Sequence, residues 1–372
     1  MSVKCQKIFN WIEEWADPGL AADWDRIGLL VGSPSDEVQK VLVTLDVTGD
    51  VIREAVNENA RLIVAHHPLY RDPLPYLRSD LYPASHVYRL IQKGIALYAA
   101  HTNLDAAPGG INDILADRLG LVDLDLLLPT GEEDLYKVVV FVPVGYEDKV
   151  REAMCSQGAG WIGKYSDCTF QLKGTGTFRP LEGTSPFIGE TGQLEKASEF
   201  RIETIVPQKK LNRVLEGMIS AHPYEEVAYD IYPLKNKGEK VGLGRVGKLP
   251  EPLTLADFAR KVKDCLELEV VKVTGDPDRS VSKVALCGGS AMMFLEHAIK
   301  SGADVYMTGD VRHHGALDAL DQGIAVVDAG HYGTEQVVIP VLADYIKEKA
   351  KEAGEELTVV VSRVKTDPFK YI

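Results

Sequence analysis

The chain is 372 residues long, which is enough for two or three domains that each bury a core of their own. Its formal charge of −14 argues against sequence-independent binding to nucleic acid, and no apolar run is long enough to cross a membrane. Five scattered cysteines with no Cys-x-x-Cys pair favour a reducing cytoplasm over a disulfide framework or a thiolate zinc site.

The first third of the chain alternates short apolar runs with segments of helical periodicity. An N-terminal helix over 6–15 ends at Asp17-Pro-Gly, a strong stop signal. The strands predicted after it are 40–46, 61–65 and 95–100, and the helices are 50–59, 86–93 and 110–119. This alternation indicates an α/β fold with a largely parallel sheet.

The same order of elements returns near the C-terminus. The predicted strands there are 283–288, 303–307 and 323–328, and the predicted helices are 291–300, 315–320 and 334–353. The stretch from Gly94 to Asp105 also aligns with the stretch from Gly323 to Glu335, with one extra residue before the histidine in the second copy. We interpret this as an internal duplication, which would bring the strand ends of two related lobes into one cleft.

The segment between the two halves is rich in β-strands. Its predicted strands are 135–143, 168–172, 174–178 and 200–206, and its predicted helices are 147–157 and 209–221. Strand, helix, two strands, helix and strand is the order of a ferredoxin-like unit. The polar run Lys235 to Lys240 is typical of an exit linker. We therefore predict an inserted α+β domain over 129–239, between α/β lobes at 1–128 and 240–372.

Polar residues just beyond parallel strands are well placed to bind a ligand, because open α/β sheets bind ligands there. Such positions hold His66 and His67, His101 with Asp105, His331 with Glu335, and, after a short loop, His313 and His314. Adjacent histidines diverge on a regular strand but can converge where the backbone turns, as it does before Pro68. The spacing in the two histidine–acid pairs is one helical turn, which stacks both side chains on one face.

Imidazole together with carboxylate suits zinc, with iron or manganese as the alternatives. Because a carboxylate can bridge two ions, four or five such ligands fit a two-metal site with a shared carboxylate. A lone histidine after a strand is more often a hydrogen-bonded core or loop residue. The repetition of the pairs at matching strand ends is what favours a metal site. His313 and His314 lie further from their strand and are predicted to support a ligand or contact substrate, with Asp310 beside them.

The segment Gly242-Leu-Gly-Arg-Val-Gly247 fits the dinucleotide pattern G-x-G-x-x-G, but its context does not. That fingerprint needs a strand before the glycines and a helix that opens on them. Here a lysine-rich run precedes the glycines and a proline-containing segment follows them. Two readings stay open, a loop that carries Arg245 towards an anion and a plain turn.

A set of motifs spread over both outer segments resembles the Nif-three-like (NGG-interacting-factor type) dinuclear-metal family, whose members are often labelled GTP cyclohydrolase I type 2 homologues. The motifs are Trp24-Asp-Arg-Ile-Gly28, Ala65-His-His-Pro68, His101-Thr-Asn-Leu-Asp105, Gly110-Ile-Asn-Asp113, Gly242-Leu-Gly-Arg245, Thr308-Gly-Asp310 and Gly330-His-Tyr-Gly-Thr-Glu335. They occur in order over roughly 1–128 and 240–372. Each motif is weak alone, and the set is specific.

The resemblance implies two similar α/β lobes with a two-metal centre between them. It implies metal ligands at His66, His67, Asp105, His331 and Glu335, with Asp105 as the bridge, and an outer-sphere place for His101. It also implies a ring-shaped homohexamer and an insert similar to PII and CutA-type trimeric proteins, which would cap the ring or sense a small molecule.

Two functions follow from these expectations. The favoured one is a cytoplasmic metal-dependent hydrolase that acts on a nucleotide-like or other small heterocyclic substrate, with Asp310 or His314 as general acid/base or substrate contact. The other is a metal-binding scaffold or regulatory adaptor, in which the ions hold two lobes together and the insert senses a ligand. Binding to DNA is a weaker third option, because the chain is acidic.

Overall fold

The structure is a computed structural model that describes residues 2–372. The chain divides into two compact units, one formed by residues 1–130 and 241–372 and the other by residues 131–240. Across the described residues, no helix combines the length and apolar character that a membrane span needs. All five cysteines are free thiols.

Strands and helices alternate along most of the chain. The helices are α1 Cys5–Trp15, α2 Gly49–Asn57, α3 Ala84–Lys93, α4 Thr102–Ala106, α5 Ile111–Arg118, α6 Glu147–Ser156, α7 Leu211–Ala221, α8 Leu255–Cys265, α9 Leu295–Lys300, α10 His313–Asp321, α11 His331–Glu335 and α12 Val338–Glu352. The strands are β1 Val3–Lys4, β2 Gly28–Val31, β3 Glu37–Val38, β4 Lys40–Thr44, β5 Leu62–Ala65, β6 Ala96–Ala99, β7 Val122–Pro143, β8 Thr169–Phe178, β9 Glu195–Pro207, β10 Tyr229–Thr254, β11 Lys272–Thr274, β12 Ser280–Leu286, β13 Val305–Thr308, β14 Ala325–Asp328 and β15 Thr358–Val361. The prediction of an α/β fold is confirmed.

The first unit contains a five-stranded sheet in the order β15-β4-β5-β6-β2. Strands β15, β4, β5 and β6 are parallel, and β2 is antiparallel to β6. All four residues of β5 and of β6 are buried, as expected for parallel strands that are covered on both faces. The ladder continues past β5, since the His66 and His67 amides donate to the carbonyls of Thr44 and Leu45. The backbone of both histidines is therefore held at the end of the sheet.

A second sheet of the same unit has the order β11-β14-β13-β12-β10. Its central strands β12, β13 and β14 are parallel, with β11 and β10 antiparallel at the two sides. Here too the ladder extends beyond the strand, because the Ala329 amide donates to the Thr308 carbonyl. The backbone just beyond β14 is therefore also held at the carboxyl end of its sheet.

The main core of the first unit draws side chains from both of its sheets and from helices α1, α5, α8 and α12. Phe258 of α8 and Leu342 of α12 are fully buried there. Tyr98 of β6 stacks on Phe9 of α1 with ring centroids 4.5 Å apart, and its hydroxyl donates to Glu13. Two smaller clusters fill the other faces of the sheets, under α2 and α3 on one and under α9 and α10 on the other. Each parallel sheet is thus covered on both faces.

In the second unit, β8 and β9 form a long antiparallel hairpin and β9 also pairs with β7. Helices α6 and α7 pack on this sheet around Val140, Met154, Ile202 and Met218. The chain order is β7, α6, β8, β9, α7 and β10. This unit therefore has a core of its own.

Three local predictions about the middle of the chain are wrong. The segments 168–172 and 174–178 form one strand, β8, and residues 235–240 lie inside β10 instead of a linker. The Gly242–Gly247 segment is also part of β10, neither a loop nor a turn. Gly244 has a φ of +65°, and a Cβ there would lie 2.7 Å from the Leu286 carbonyl oxygen. The position therefore favours glycine, although the strand continues through it.

Candidate metal centre

Strand β5 ends directly before the two adjacent histidines. His66 is fully buried, and its Nδ1 lies 2.8 Å from the Ala100 carbonyl oxygen. A carbonyl oxygen only accepts, so His66 donates from Nδ1 and its Nε2 carries the lone pair. His67 is held in the same way by a carboxylate, with its Nδ1 2.7 Å from Asp46 Oδ1. Each ring is therefore held through Nδ1, which leaves Nε2 as the atom that a metal ion could bind.

The second histidine–acid pair lies on the short helix α11. Gly330, before this helix, has a φ of +74°, a left-handed conformation that favours glycine. His331 and Glu335 lie one turn apart, and the His331 Nε2 is 3.0 Å from Glu335 Oε2. Asp310 Oδ2 lies 2.8 Å from the His331 Nδ1 and holds this ring as Asp46 holds His67.

Glu335 lies where the two strand-end groups meet. Its Oε2 is 2.8 Å from the His67 Nε2, and its Oε1 is 3.9 Å from the His66 Nε2. The His67 and His331 Nε2 atoms face each other at 3.3 Å. Asp105 approaches the cluster from α4, with its Oδ1 3.8 Å from the His66 Nε2. The five residues named by the family resemblance therefore converge in the structure.

The donor atoms fit a metal cation. The His66 Nε2 and Glu335 Oε2 are buried without a hydrogen-bond partner anywhere in residues 2–372. Oε2 lies close to two imidazole nitrogens, and lone pairs would face lone pairs there unless a proton or a metal ion lies between them. Unpaired buried polar atoms are unfavourable unless a cation satisfies them. The groups His67, His331 and Glu335, and His66, Asp105 and Glu335, could each hold a metal ion.

Nearby carboxylates raise the pKa values of two of the histidines. Burial lowers the pKa of His67, but the carboxylates of Asp46 and Glu335 outweigh it and raise this pKa to about 10. Glu335 likewise raises the pKa of His331 to about 9, against the effect of burial. His66 is different, because complete burial lowers its pKa to about 3. Where no metal is bound, protons on His67 and His331 neutralise the carboxylates.

The pKa values of Asp105 and Glu335 are shifted in opposite directions. Burial and the neighbouring Glu335 raise the pKa of Asp105 well above its usual range. Burial would also raise the pKa of Glu335, but the imidazoles of His331 and His67 hold it well below its usual value. Two carboxylates in one buried site are stabilised together only when positive charge lies between them.

His101, for which the family resemblance implies an outer-sphere place, also approaches the cluster. Its ring centroid is 5.1 Å from that of His66 and 5.5 Å from that of His67, and these three histidines form a further group able to hold a metal. Its Nδ1 is held by Asp25 Oδ1 at 2.9 Å, while Asp25 Oδ2 accepts from the amide and hydroxyl of Thr102. Burial would raise the pKa of Asp25, but these hydrogen bonds lower it.

Sequence reasoning missed the carboxylates that orient the imidazoles. Asp25 holds His101 and Asp46 holds His67. Asp46 follows the buried strand β4, so the strand-end rule that selected the histidines could also have selected this acid. The role of Asn112 was not predicted either, although it lies in a quoted motif; it supports helix α4 by donating to the Asp105 carbonyl oxygen at 2.9 Å.

A cavity of about 770 Å³ adjoins the cluster, entirely within the first unit. Asp46, His67, Asp310 and His331 line it on the side of the cluster. Residues 365–369 and Tyr371 of the C-terminal tail also line it. The arrangement can place a small molecule beside His67 and His331.

Of the two predicted catalytic residues, only Asp310 contacts the cluster. It bonds His331 and lines the cavity. His314 is exposed in the first turn of α10, with its ring 5.4 Å from that of His313, and neither histidine is among the described residues that line the cavity.

Gly289 offers a test of the cluster that changes none of its donor atoms. It has a φ of +67°, and an added Cβ would overlap Glu335 Oε1. Gly289→Ala is therefore expected to displace Glu335 and to lower metal content, measured by mass spectrometry of the metals. Gly302→Ala is the matched control, since Gly302 has a φ of +72° and no described heavy atom within 4 Å of the added Cβ. Equal metal content in both variants would contradict the expectation.

Fold and site together define an α/β protein with a buried histidine–carboxylate cluster that could hold a metal ion. The model of the family Duf34/NIF3 (NGG1p interacting factor 3) matches residues 3–368, and the chain belongs to this family. A Halalkalibacterium halodurans relative is 46% identical over 99% of this chain and 98% of its own length, and a Bacillus subtilis relative is 42% identical over 100% and 99%. Both are called GTP cyclohydrolase 1 type 2 homolog.

A solved structure described as a Bacillus cereus protein related to NIF3 is similar over the whole chain. It has a TM-score of 0.88 and 44% sequence identity, and the match covers 100% of this chain and 99% of that one. The family that the motifs indicated in the sequence is thus confirmed by sequence and by fold.

Proposed function

We propose that the cluster binds two divalent metal ions and that the protein is a metal-dependent hydrolase acting on a nucleotide-like or other small heterocyclic substrate. The observation that carries the proposal is the convergence of the Nε2 atoms of His66, His67 and His331 on Glu335, beside a cavity of about 770 Å³. A pair of divalent ions supplies Lewis acidity and activates water.

The proposed ligands are His66, His67, Asp105, His331 and Glu335. His66 and Asp105 would serve one ion, His67 and His331 the other, and Glu335 has an oxygen towards each. Glu335 is therefore our candidate for the shared carboxylate, in place of Asp105. The donor set suits zinc, with iron or manganese as alternatives.

Asp310 and His314 are the proposed acid–base or substrate-contact residues. The support for Asp310 is its place on the cavity wall and its bond to His331. In the proposal its carboxylate keeps the His331 proton on Nδ1 and can accept a hydrogen bond from a substrate in the cavity. His314 would act only on a substrate that extends from the cavity to the start of α10.

The shared name of the relatives suggests GTP as the first substrate to test. The metal-reconstituted protein is incubated with GTP, and release of formate is measured. We expect formate from the unmodified protein, and from a His297→Ala control, whose histidine lies on helix α9 and is not among the described residues that line the cavity. We expect none from His66→Ala. No formate with zinc, iron or manganese would refute this reaction and leave the metal site to be tested by itself.

A non-catalytic metal scaffold or regulatory adaptor is the second candidate. The burial of His66 and Glu335 favours it, because a closed coordination shell is typical of structural sites. Cobalt(II) spectra with and without added anions distinguish the two functions. A spectrum that changes with the anion indicates an open position and favours catalysis, whereas an unchanged spectrum favours the scaffold.

We also propose the domain organisation and assembly that the motifs imply. Residues 1–128 and 240–372 would be duplicated lobes, supported by the two mainly parallel sheets, and 129–239 an insert of PII or CutA type. The protein would assemble as a cytoplasmic ring-shaped homohexamer that binds neither membrane nor nucleic acid. Sedimentation equilibrium at several concentrations tests the hexamer.

A further inference from the structure

The segment after strand β15 is attached to the sheet that carries His66 and His67. The Ser362 amide donates to the Val43 carbonyl at 2.8 Å, so the β4 pairing extends one residue past β15. The Ser362 hydroxyl donates to Glu54 Oε2 at 2.5 Å, and the Arg363 amide donates to Glu54 Oε1 at 2.8 Å. Val364 packs on the apolar cluster beneath α2 and α3. The tail therefore follows a defined path towards the cavity.

The path brings Thr366 to the carboxylate that holds His67. The Thr366 hydroxyl donates to Asp46 Oδ2 at 2.5 Å, while Asp46 Oδ1 accepts from the His67 Nδ1 at 2.7 Å. The two bonds use different oxygens, so together they determine the rotation of the carboxylate. A carboxylate fixed in this way determines the ring plane and the tautomer of the histidine, and hence the direction of its Nε2 lone pair.

We propose that Thr366 is a positioning residue for the metal centre, acting through Asp46 on His67. This inference rests on the proposed metal-binding function and extends it to the C-terminal tail. Without the Thr366 hydroxyl, the Asp46 carboxylate loses the partner of one oxygen and can rotate, and His67 loses its fixed orientation towards Glu335. Thr366 and Phe369 also line the cavity. The tail therefore contacts both the space proposed for a substrate and Asp46, the residue that holds His67.

The test compares two substitutions of Thr366 in the full-length protein. Thr366→Val keeps the shape of the side chain and removes the hydroxyl, whereas Thr366→Ser keeps the hydroxyl. Competition with a chromogenic chelator gives the affinity for zinc, and the visible spectrum of the cobalt(II) form reports the ligand geometry. We expect Thr366→Val to weaken the binding of one ion about tenfold and to change the cobalt spectrum, because outer-sphere partners of metal ligands have effects of this size. Thr366→Ser should match the unmodified protein.

Ser362→Ala separates the specific effect from general loosening of the tail, because Ser362 attaches the tail without contacting Asp46. An unchanged zinc affinity in Ser362→Ala supports the proposal. Equal losses in Ser362→Ala and Thr366→Val, or no loss in Thr366→Val, would overturn the role of Thr366 while leaving the metal centre intact. An unmodified protein that binds no zinc and no cobalt would refute both the metal centre and the role of Thr366.

Discussion

Replacing Glu335 by glutamine is expected to remove nearly all bound metal. The Glu335 Oε2 lies 2.8 Å from the His67 Nε2 and 3.0 Å from the His331 Nε2, and Oε1 faces His66 at 3.9 Å. Glutamine keeps the length and shape of the side chain but loses the negative charge. Its amide hydrogens can also bond to the imidazole Nε2 atoms, which would then be unavailable to a metal ion. Both candidate ion positions that include Glu335 would therefore lose a ligand at once.

The loss in zinc affinity should exceed about 100-fold, because even partners outside the coordination sphere change affinity by 10–100-fold. Metal content after dialysis and chelator competition measure it. Glu296→Gln is the matched control, since Glu296 is an exposed helix acid paired with Lys300. Circular dichroism checks that both variants fold. If Glu335→Gln retained two ions per chain, Glu335 would not be a ligand, and the cluster would be a hydrogen-bonded network of histidines and acids.

The parallel strands and the histidine–acid pairs could be predicted from sequence because their signals are local. Buried strands such as β5 are uniformly apolar, and the observed bounds of β4, β5 and β6 lie within two residues of the predicted ones. The pair His331 and Glu335 could be recognised from its one-turn spacing, which helix α11 reproduces. Where a signal is carried by neighbours in sequence, the prediction was accurate.

The elements that were missed depend on distant partners. Lys235 to Lys240 is polar and carries no periodic pattern, so nothing local indicates that it belongs to a long strand. The predicted C-terminal helix over 334–353 is divided in the structure, because α11 ends at Glu335 and α12 begins at Val338. Thr366 reaches Asp46 across 320 residues of sequence, a contact that only the folded tail creates. The supporting roles of Asp25, Asp46 and Asn112 were not predicted for the same reason, although Asp25 and Asn112 lie in motifs that the sequence singles out.

Arg245 shows how a motif read as a loop can have a structural role in a strand. Its side chain is 7% exposed, and its guanidinium forms a two-pronged pair with Asp113, Nε to Oδ1 at 2.5 Å and Nη2 to Oδ2 at 2.6 Å. Nη1 also donates to the carbonyls of Gly242 and Gly244. These bonds connect β10 to helix α5, so the anion that Arg245 meets is a carboxylate of this chain.

Arg245→Ala is expected to lower the free energy of unfolding by about 3–5 kcal/mol, because it leaves a half-buried carboxylate and two carbonyls without their partner. Arg245→Lys should recover little, since an ammonium cannot reproduce the two-pronged geometry. Urea unfolding measures both variants. Arg260→Ala is the control, because Arg260 forms an exposed pair with Asp257 and its loss should change stability by less than about 0.5 kcal/mol.

The same substitution should also weaken the metal centre, because α5 supports it. Asn112, next to Asp113, donates to the Asp105 carbonyl and accepts from the Gly288 amide, which adjoins Gly289 beside Glu335. If α5 shifts when Arg245 is lost, Asp105 and Glu335 move relative to each other. Zinc affinity measured in Arg245→Ala under conditions where the protein is fully folded should therefore fall. Unchanged affinity together with reduced stability would show that the pair stabilises β10 and α5 without determining the position of the ligands.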